Sequence, residues 1–509
     1  MNGSAITVKC LRSLGVDTVF GYPGGSILPL IDAIAADGHI DLIVNTHEQF
    51  CAFAADGYAR SSGKVGVCLA TSGPGATNLV TGIANAYMDS IPVVAITGNV
   101  PTTLLGTDAF QEIDIAGVTM PITKHNFIVK SVESLVPTLV SAFAIASGGR
   151  KGPVLVDIPS DIFAASCAYK KYSYNMPVKS VEGDVHAVAR LINESEHPFI
   201  CVGGGVISAG AGKVFSEFAH RLSAPVASTA MGIGAFDGSD PLYCGLFGVN
   251  ASEKASELFE KCDLMIAIGT RFSDRMLSFV RTNKNCKVIH IDIDGAEIDK
   301  NLSPCGALTG DAGDVLGLLT PLVNKRCHSG KAFVNEPKTG VFSLISKYFP
   351  DSIYTTEVGL HQVSACKNLA VRYPRQFLTS GGLGAMGFGL PAAIGASVAN
   401  KKQVVVIAGD GSFNMNMQEL ATAVKYKLPI TVIIINNRSL GMIESWQKRE
   451  FGGRIVAADT PAIDYMTLGR SFGADVYRAE SIVALEEALA QSSGKRAVAL
   501  IEYLTEEPL

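Results

Sequence analysis

Apolar, β-branched runs recur along the whole chain, each closing on a polar or Gly-rich turn and followed by residues whose apolar positions repeat with the helical period. VGVCLATSG (65–73) and PVVAITGNV (92–100) lie in the first third, PFICVGGG (198–205) and DLMIAIGTRF (263–272) in the second, VVVIAGDG (404–411) and ITVIIINN (430–437) in the last. Strands that alternate with helices in this way predict parallel sheets covered on both faces. Two polar, poorly patterned stretches interrupt the alternation, Ala164 to Ser180 and Lys325 to Gly340, and read as linkers. The expected architecture is α/β, three doubly wound parallel-sheet domains at 1–165, 181–325 and 340–509.

The last third carries the sharpest local signal. Its run Val404 to Ala408 ends at Gly409-Asp410-Gly411, a helix is predicted from about Met417 to Tyr426, and the run Ile430 to Ile435 ends at Asn436-Asn437. A right-handed crossover makes such strands parallel, so Asp410 and Asn437 come to the same sheet edge, where open α/β sheets bind ligands. A carboxylate and an amide oxygen suit Mg²⁺, which completes its shell with water and phosphate oxygens. Glycines beside the acid let the backbone approach a diphosphate closely. GDG alone also reads as a plain strand-to-helix turn; the Asn at the next strand end favours the metal–diphosphate reading. In the first third, DLIVNTHE (41–48) reads as a short buried strand with Glu48 at its carboxyl end, followed by a helix over QFCAFAADGYAR (49–60). Glu48 there can do chemistry, cap the helix or pair with Arg60. TSGPGATN (71–78) is a turn whose amides can hold a ligand or simply reverse the chain.

Composition narrows the function class. Charged residues make up 17% and the net charge is -5, which gives no support for a nucleic-acid or anionic-membrane partner, so the substrate is expected to be small. The 11 cysteines sit mostly singly in apolar runs without a C-x-x-C pair and read as reduced core thiols. No signal peptide and no apolar run of about 18 residues is present, so neither secretion nor a membrane span is expected and the cytoplasm is the default.

Further blocks fall in a fixed order: FGYPGG (20–25), THEQ (46–49), TSGPGATNLVTGIA (71–84), GTDAFQE (106–112), PITKHN (121–126), GPVLVDIP (152–159), HIDID (290–294), SGGLGAMGFGLPAAIGA (380–396), GDGSF (409–413) and LGMIESWQ (440–447). Together they resemble the catalytic large subunits of acetolactate synthase (acetohydroxyacid synthase), a family of thiamine-diphosphate enzymes. The resemblance implies pyrimidine-binding, central and diphosphate-binding domains. It also implies a decarboxylating carboligation of two pyruvates, or of pyruvate and 2-oxobutyrate, in branched-chain amino acid biosynthesis. In that family the glutamate at Glu48 hydrogen-bonds the aminopyrimidine and promotes self-activation of the cofactor. The implied metal ligands are Asp410, Asn437 and the carbonyl of Ser439. His361, Gly384, Ala385, Met386, Gly411 and Ser412 are implied cofactor contacts, Met386 holding the rings in a bent shape or serving as ordinary core. Phe110 and Gln111 are implied near the reacting carbon, Lys124 and Arg275 at a substrate carboxylate. Trp446 is implied at the second 2-oxo acid; as the only tryptophan it also reads as a packing anchor.

The central third is similar to an FAD-binding domain, with matching positions at Arg150, Gly203 to Gly205 (Gly204 in the middle), Met231, Gly269, Arg271, Asp292 and Asp311. Because pyrimidine and diphosphate halves lie in different domains that family members join across a subunit interface, a homodimer or homotetramer is implied. A small regulatory subunit is common in the family. The alternatives are another thiamine-diphosphate-dependent 2-oxo acid decarboxylase or carboligase, and a non-catalytic cofactor-binding protein. Three departures mark this chain. Leu360 in VGLHQ (358–362) replaces a glutamine expected on the diphosphate, and losing a hydrogen bond to a charged group weakens affinity roughly tenfold to a hundredfold. Phe247 in CGLFG (244–248) replaces a histidine of the flavin segment. The chain ends at Leu509, shortly after AVALIEYL, where family members continue into a tail, which implies a more open site or a different substrate.

Overall fold

In each third of the chain six strands assemble into one parallel sheet, as the alternating pattern requires. The computed structural model describes residues 1–174, 180–326, 333 and 340–505. The first sheet contains β1 (Thr18–Gly21), β2 (Asp41–Val44), β3 (Gly66–Ala70), β4 (Val93–Asn99), β5 (His125–Ile128) and β6 (Val154–Pro159), in the order β2-β1-β3-β4-β6-β5. The second contains β7 (Pro198–Val202), β8 (Val226–Ser228), β9 (Tyr243–Leu246), β10 (Leu264–Ile268), β11 (Lys287–Asp292) and β12 (Gly306–Thr309), in the order β12-β11-β10-β7-β8-β9. The third contains β13 (Ile353–Thr356), β14 (Phe377–Leu378), β15 (Val404–Gly409), β16 (Ile430–Asn436), β17 (Asp475–Ala479) and β18 (Ala499–Leu504), in the order β14-β13-β15-β16-β18-β17.

The first and third sheets therefore share one topology. In both, the order reverses beside the first strand, which opens a crevice at its carboxyl end. The second sheet has, read from its other edge, the 3-2-1-4-5-6 order of dinucleotide-binding folds, with its reversal between β7 and β10. Two compact units result. One comprises residues 1–177, 351–361 and 378–509 and holds the first and third sheets; the other comprises 178–350 and 362–377 and holds the second. The stretches expected to link the thirds lie partly outside the described residues, at 175–179, 327–332 and 334–339. Among the described residues no helix is long and apolar enough to cross a membrane. The ten described cysteines are unbridged, and most are buried.

Inside the first unit the helices Glu48–Ser62 and Gly389–Asn400 cross in close contact. A side chain at Gly57 would strike the Ala392 carbonyl, and one at Gly395 the Ala54 carbonyl, so glycine at both positions lets the two backbones touch. A buried ion cluster locks this crossing. Arg60 binds Asp56, reaches Asp89 at 2.8 Å and donates to the Thr379 carbonyl at 3.0 Å, while Asn85 donates to Asp56 at 3.0 Å. Burial raises the Asp56 carboxyl above its usual range, and the Arg60 charge opposes that rise. Arg60→Met removes the positive charge that pairs with Asp56 and Asp89 in this cluster and is expected to cost about 3–5 kcal/mol. A clear fall in the thermal unfolding midpoint checks it; an unchanged midpoint refutes the locking role.

Two local expectations change. DLIVNTHE is not a buried strand ending at Glu48: the strand stops at Val44, forms the half-exposed edge of its sheet, and Glu48 opens the next helix. The His47 ring accepts from the Gln49 N–H at 3.1 Å and starts the helix there. The helix expected over about Met417 to Tyr426 is shorter, Glu419–Lys425, because the GDGSF turn coils into its own short helix, Asp410–Phe413, and a turn separates the two.

Candidate active site

The parallel pairing of β15 with β16 sets Gly409 opposite Ile435, so the residues that follow emerge together at one edge. Asp410 is 2% exposed and its carboxylate accepts from the Thr460 hydroxyl. Burial raises its pKa, while Thr460 and the backbone N–H groups of Gly411 and Asn437 pull it down; the second strand end thus touches the first. The two asparagines divide their work. Asn436 is buried and donates to Glu502 at 2.7 Å, whereas Asn437 is half-buried at the edge.

Arg438 has a left-handed backbone, φ 55°, which turns the chain sharply after Asn437. Leu440 N–H then donates to the Ala458 carbonyl at 2.6 Å and Thr460 N–H to Arg438 at 3.2 Å. Pairing of this kind aims the N–H and C=O of the intervening residue to the other side. Ser439 N–H accordingly meets Asn437 Oδ1 at 3.2 Å, and by the same antiparallel rule its carbonyl is turned away from Asp459. Among the described residues no group of three or more His, Cys, Asp and Glu is placed to hold a metal. The donor set at this edge is one carboxylate, one amide and one carbonyl, which fits Mg²⁺ carrying waters and phosphate oxygens.

Gly411 and Gly409 fit a tight cradle. A side chain at Gly411 would run into Leu440, and one at Gly409 would lie 2.9 Å from the His361 ring. His361 is buried, its Nε2 accepts from the Gly409 N–H at 3.2 Å, and burial pushes its pKa down to about 4, so the ring is neutral and braces the strand end. Ser412 is buried, its hydroxyl 3.4 Å from the Gly409 carbonyl. Leu360, at the departure position, lies beside Gly441 next to Asn437; a side chain at Gly441 would meet it at 3.0 Å. Gly384 is exposed with φ 68° and Gly387 has φ 85°, so left-handed residues bracket the half-buried Ala385 and Met386. Met386 is therefore not a fully buried core residue.

Glu48 is buried and accepts from Asn78 Nδ2 at 3.0 Å. Its alternative partner is taken, since Arg60 serves Asp56 and Asp89. The TSGPG turn lies against the carboxylate: a side chain at Gly75 would approach Glu48 Oε1 to 3.2 Å. Gly73, φ 59°, packs under the backbone of Gln111, itself left-handed at φ 60°, which brings the loop of Phe110 and Gln111 onto this turn. Glu112 shapes that loop by accepting from the N–H groups of Gly106, Thr107 and Ala109. Phe110 projects from it at 89% exposure.

The Lys124 ammonium binds the Ile145 carbonyl and the Gly148 carbonyl at 2.7 Å, neutralising the C-terminal end of the helix Leu135–Ser147. Arg150 donates to Ser90 at 3.0 Å. Trp446 is 48% exposed on the helix Gly441–Glu450, so it is no packing anchor within the chain. In the second unit Arg275 is exposed, and Phe247 is buried against Phe199, Phe259 and Phe279 with ring centres 5.4, 5.0 and 5.0 Å away. Gly203 to Gly205 follow β7 at the point of reversal; side chains at Gly203 and Gly205 would strike the backbone of Gly269, and one at Gly204 would meet Met231 at 3.2 Å. Asp292 ends β11, and Asp311 caps the helix Ala312–Leu319 through Gly313 N–H at 2.8 Å; Arg271 follows β10, half-buried.

Sequence reading missed four side chains. Asn78 holds Glu48, and Thr460 holds Asp410. Glu419 accepts from Asn45 Nδ2 and Thr46 N–H, both at 2.6 Å, and so grips the turn leading into Glu48 from the third sheet's side. Glu357 follows β13 and is fully buried. The last carried a weaker signal, an acid directly after a short β-branched and aromatic strand, Ile353–Thr356, whose two threonines blur the pattern that exposed Asp410.

Three family models match: thiamine pyrophosphate enzyme, N-terminal TPP binding domain over residues 1–118, central domain over 185–319, and C-terminal TPP binding domain over 357–503. The chain is 42% identical to the probable acetolactate synthase large subunit of Methanocaldococcus jannaschii, over 96% of this chain and 88% of that one. It is 41% identical to the acetolactate synthase isozyme 2 large subunit of Escherichia coli, over 97% and 94%. With the chloroplastic acetolactate synthase of Arabidopsis thaliana identity is 42%, over 88% and 72%. A buried strand-end acid meeting an amide, a second acid on a glycine turn and these matches agree: the chain belongs to the acetolactate synthase large-subunit family of thiamine pyrophosphate enzymes.

Proposed function

We propose that this protein is a thiamine-diphosphate- and Mg²⁺-dependent acetolactate synthase, joining two pyruvates, or pyruvate and 2-oxobutyrate, with loss of carbon dioxide. The observation that carries it is the meeting of Asp410 with Asn437 at one sheet edge, after the parallel strands β15 and β16. Asp410, Asn437 and the Ser439 carbonyl would hold the metal; Gly411 and Ser412 would face the diphosphate. Thiamine diphosphate, when bound, supplies the electron sink for decarboxylation. Glu48, held by Asn78, would hydrogen-bond the ring nitrogen of the aminopyrimidine and govern its proton. Met386 would shape the ring pocket, and Phe110, Gln111 and Trp446 would border the substrate. Lys124 is omitted, because its ammonium is spent on a helix end.

A homodimer is part of this reading. Phe110 at 89% exposure, with Met120 at 69% and Val456 at 68%, is apolar surface that a second copy would cover. The relatives named large subunits support a small regulatory partner, and the cytoplasm is the proposed compartment. For FAD the support is the dinucleotide-type strand order of the second sheet, with Gly203 to Gly205 at its reversal and Asp292 and Asp311 at the same edge. The glycines there are filled by Gly269 and Met231, and Phe247 is core, so a flavin absorption band in the purified protein is the test of that part. The domain boundaries at 165/181 and 325/340 are proposed with it.

Incubation with pyruvate, thiamine diphosphate and Mg²⁺ is expected to yield a product that acid converts to acetoin. Release of acetaldehyde without acetoin would replace the reading with a simple decarboxylase; no turnover of any 2-oxo acid by the loaded protein would replace it with a binding protein.

A further inference from the structure

The segment 381–390 carries Gly384, Ala385 and Met386, yet its own sequence, GGLGAMGFGL, offers little to fix it: five glycines and no charge. Its two ends are held instead by carboxylates from outside. At the start, Asp89 accepts from the N–H of Gly381 at 3.1 Å and of Gly382 at 2.7 Å. At the end, Glu357 accepts from the N–H of Gly387 at 2.8 Å, of Gly389 at 2.7 Å and of Leu390 at 3.3 Å. The Asn416 amide also donates to it. Glu357 is fully buried in the crevice where the order of the third sheet reverses, between β13 and β15. Burial pushes its pKa up to about 7 against those four donors. A buried acid is costly unless its acceptor capacity is used, and here most of it is used on one loop. Gly389 opens the helix Gly389–Asn400, so the same contacts also start that helix.

We infer that Glu357 is a positioning residue: its carboxylate pins the backbone of 387–390, and through it the placing of Met386 against the rings of the bound cofactor. It acts through the segment, and the cofactor role rests on the function proposed above. Asp410, Asn437 and Ser439 take no part in it. Among the groups described, Glu357 is the one that reaches both the crevice and the segment from inside the sheet.

Glu357→Gln keeps size and shape but turns one acceptor into a donor facing N–H groups. Hydrogen–deuterium exchange of the cofactor-free protein is expected to rise in peptides covering 383–390 and to stay at the wild-type level in β15 and β16. Thiamine diphosphate affinity, measured calorimetrically with Mg²⁺ present, is expected to fall about tenfold to a hundredfold, with partial recovery in Glu357→Asp. Unchanged exchange at 383–390 overturns the inference, as does a rise spread evenly over the chain, which would make Glu357 a general support of the fold. If the Gln variant does not fold, Asn416→Ala removes one donor and leaves the carboxylate in place. A local rise then supports the inference, and an unchanged or uniform pattern overturns it. Should wild-type protein bind no thiamine diphosphate, the proposed function fails while the exchange arm still decides the role of Glu357.

Discussion

Glu48→Gln is expected to lower turnover of pyruvate by about 10²- to 10⁴-fold, the range lost when a positioned acid or base is removed, with the fold retained. The change is nearly isosteric. Asn78 Nδ2 can still donate to the amide oxygen, so the TSGPG turn and the helix start keep their packing. What disappears is the capacity to exchange a proton with a ring nitrogen. The geometry argues for that capacity over a structural duty: Arg60, the other candidate partner, is fully engaged with Asp56 and Asp89, and the His47 ring caps the helix. The measurement is the steady-state rate with saturating cofactor, alongside circular dichroism. Wild-type turnover in a folded variant would remove Glu48 from the chemistry, and loss of the fold would return it to the structural reading.

Much of this site was legible in the chain because its acids stand at the ends of strongly apolar strands. Asp410 and Asn437 followed from β15 and β16, whose β-branched runs admit one assignment, and their joint edge followed from crossover handedness. Glu48 was found by the same rule but mislocated. Its strand is an edge strand with only Ile43 well buried, so the alternating pattern that ends a strand cleanly is weak there, and the helix begins at once after a short turn. The supporting shell was hidden for a different reason. Glu419 lies in an ordinary helix more than 370 residues from the turn it grips, and only the packing of two sheets in one unit brings them together. That Lys124 binds a helix end was hidden too, because a lysine gives no sign of whether its ammonium faces solvent or backbone carbonyls.

The second large effect concerns the metal. Asp410→Asn is expected to raise the Mg²⁺ concentration for half-maximal activity by about a hundredfold, taking about 3 kcal/mol for the lost interaction with a charged group. The amide preserves an oxygen and leaves Thr460 a partner, so the turn should keep its shape; what is lost is the single formal charge of the donor set. Neither Asn437 nor a carbonyl can replace it, since Mg²⁺ surrenders water only to strong donors. A readout independent of turnover separates metal loss from misfolding. Wild-type protein should gain thermal stability when Mg²⁺ and thiamine diphosphate are added together, because ligand that binds only the folded form stabilises it. The variant should unfold near the wild-type cofactor-free temperature and gain little. If burial alone explained the raised pKa of Asp410, removing its charge would stabilise the cofactor-free protein and leave the Mg²⁺ requirement unmoved. A shifted Mg²⁺ requirement identifies the charge as kept for the metal, at a cost to the fold that a buried carboxylate otherwise has no reason to bear.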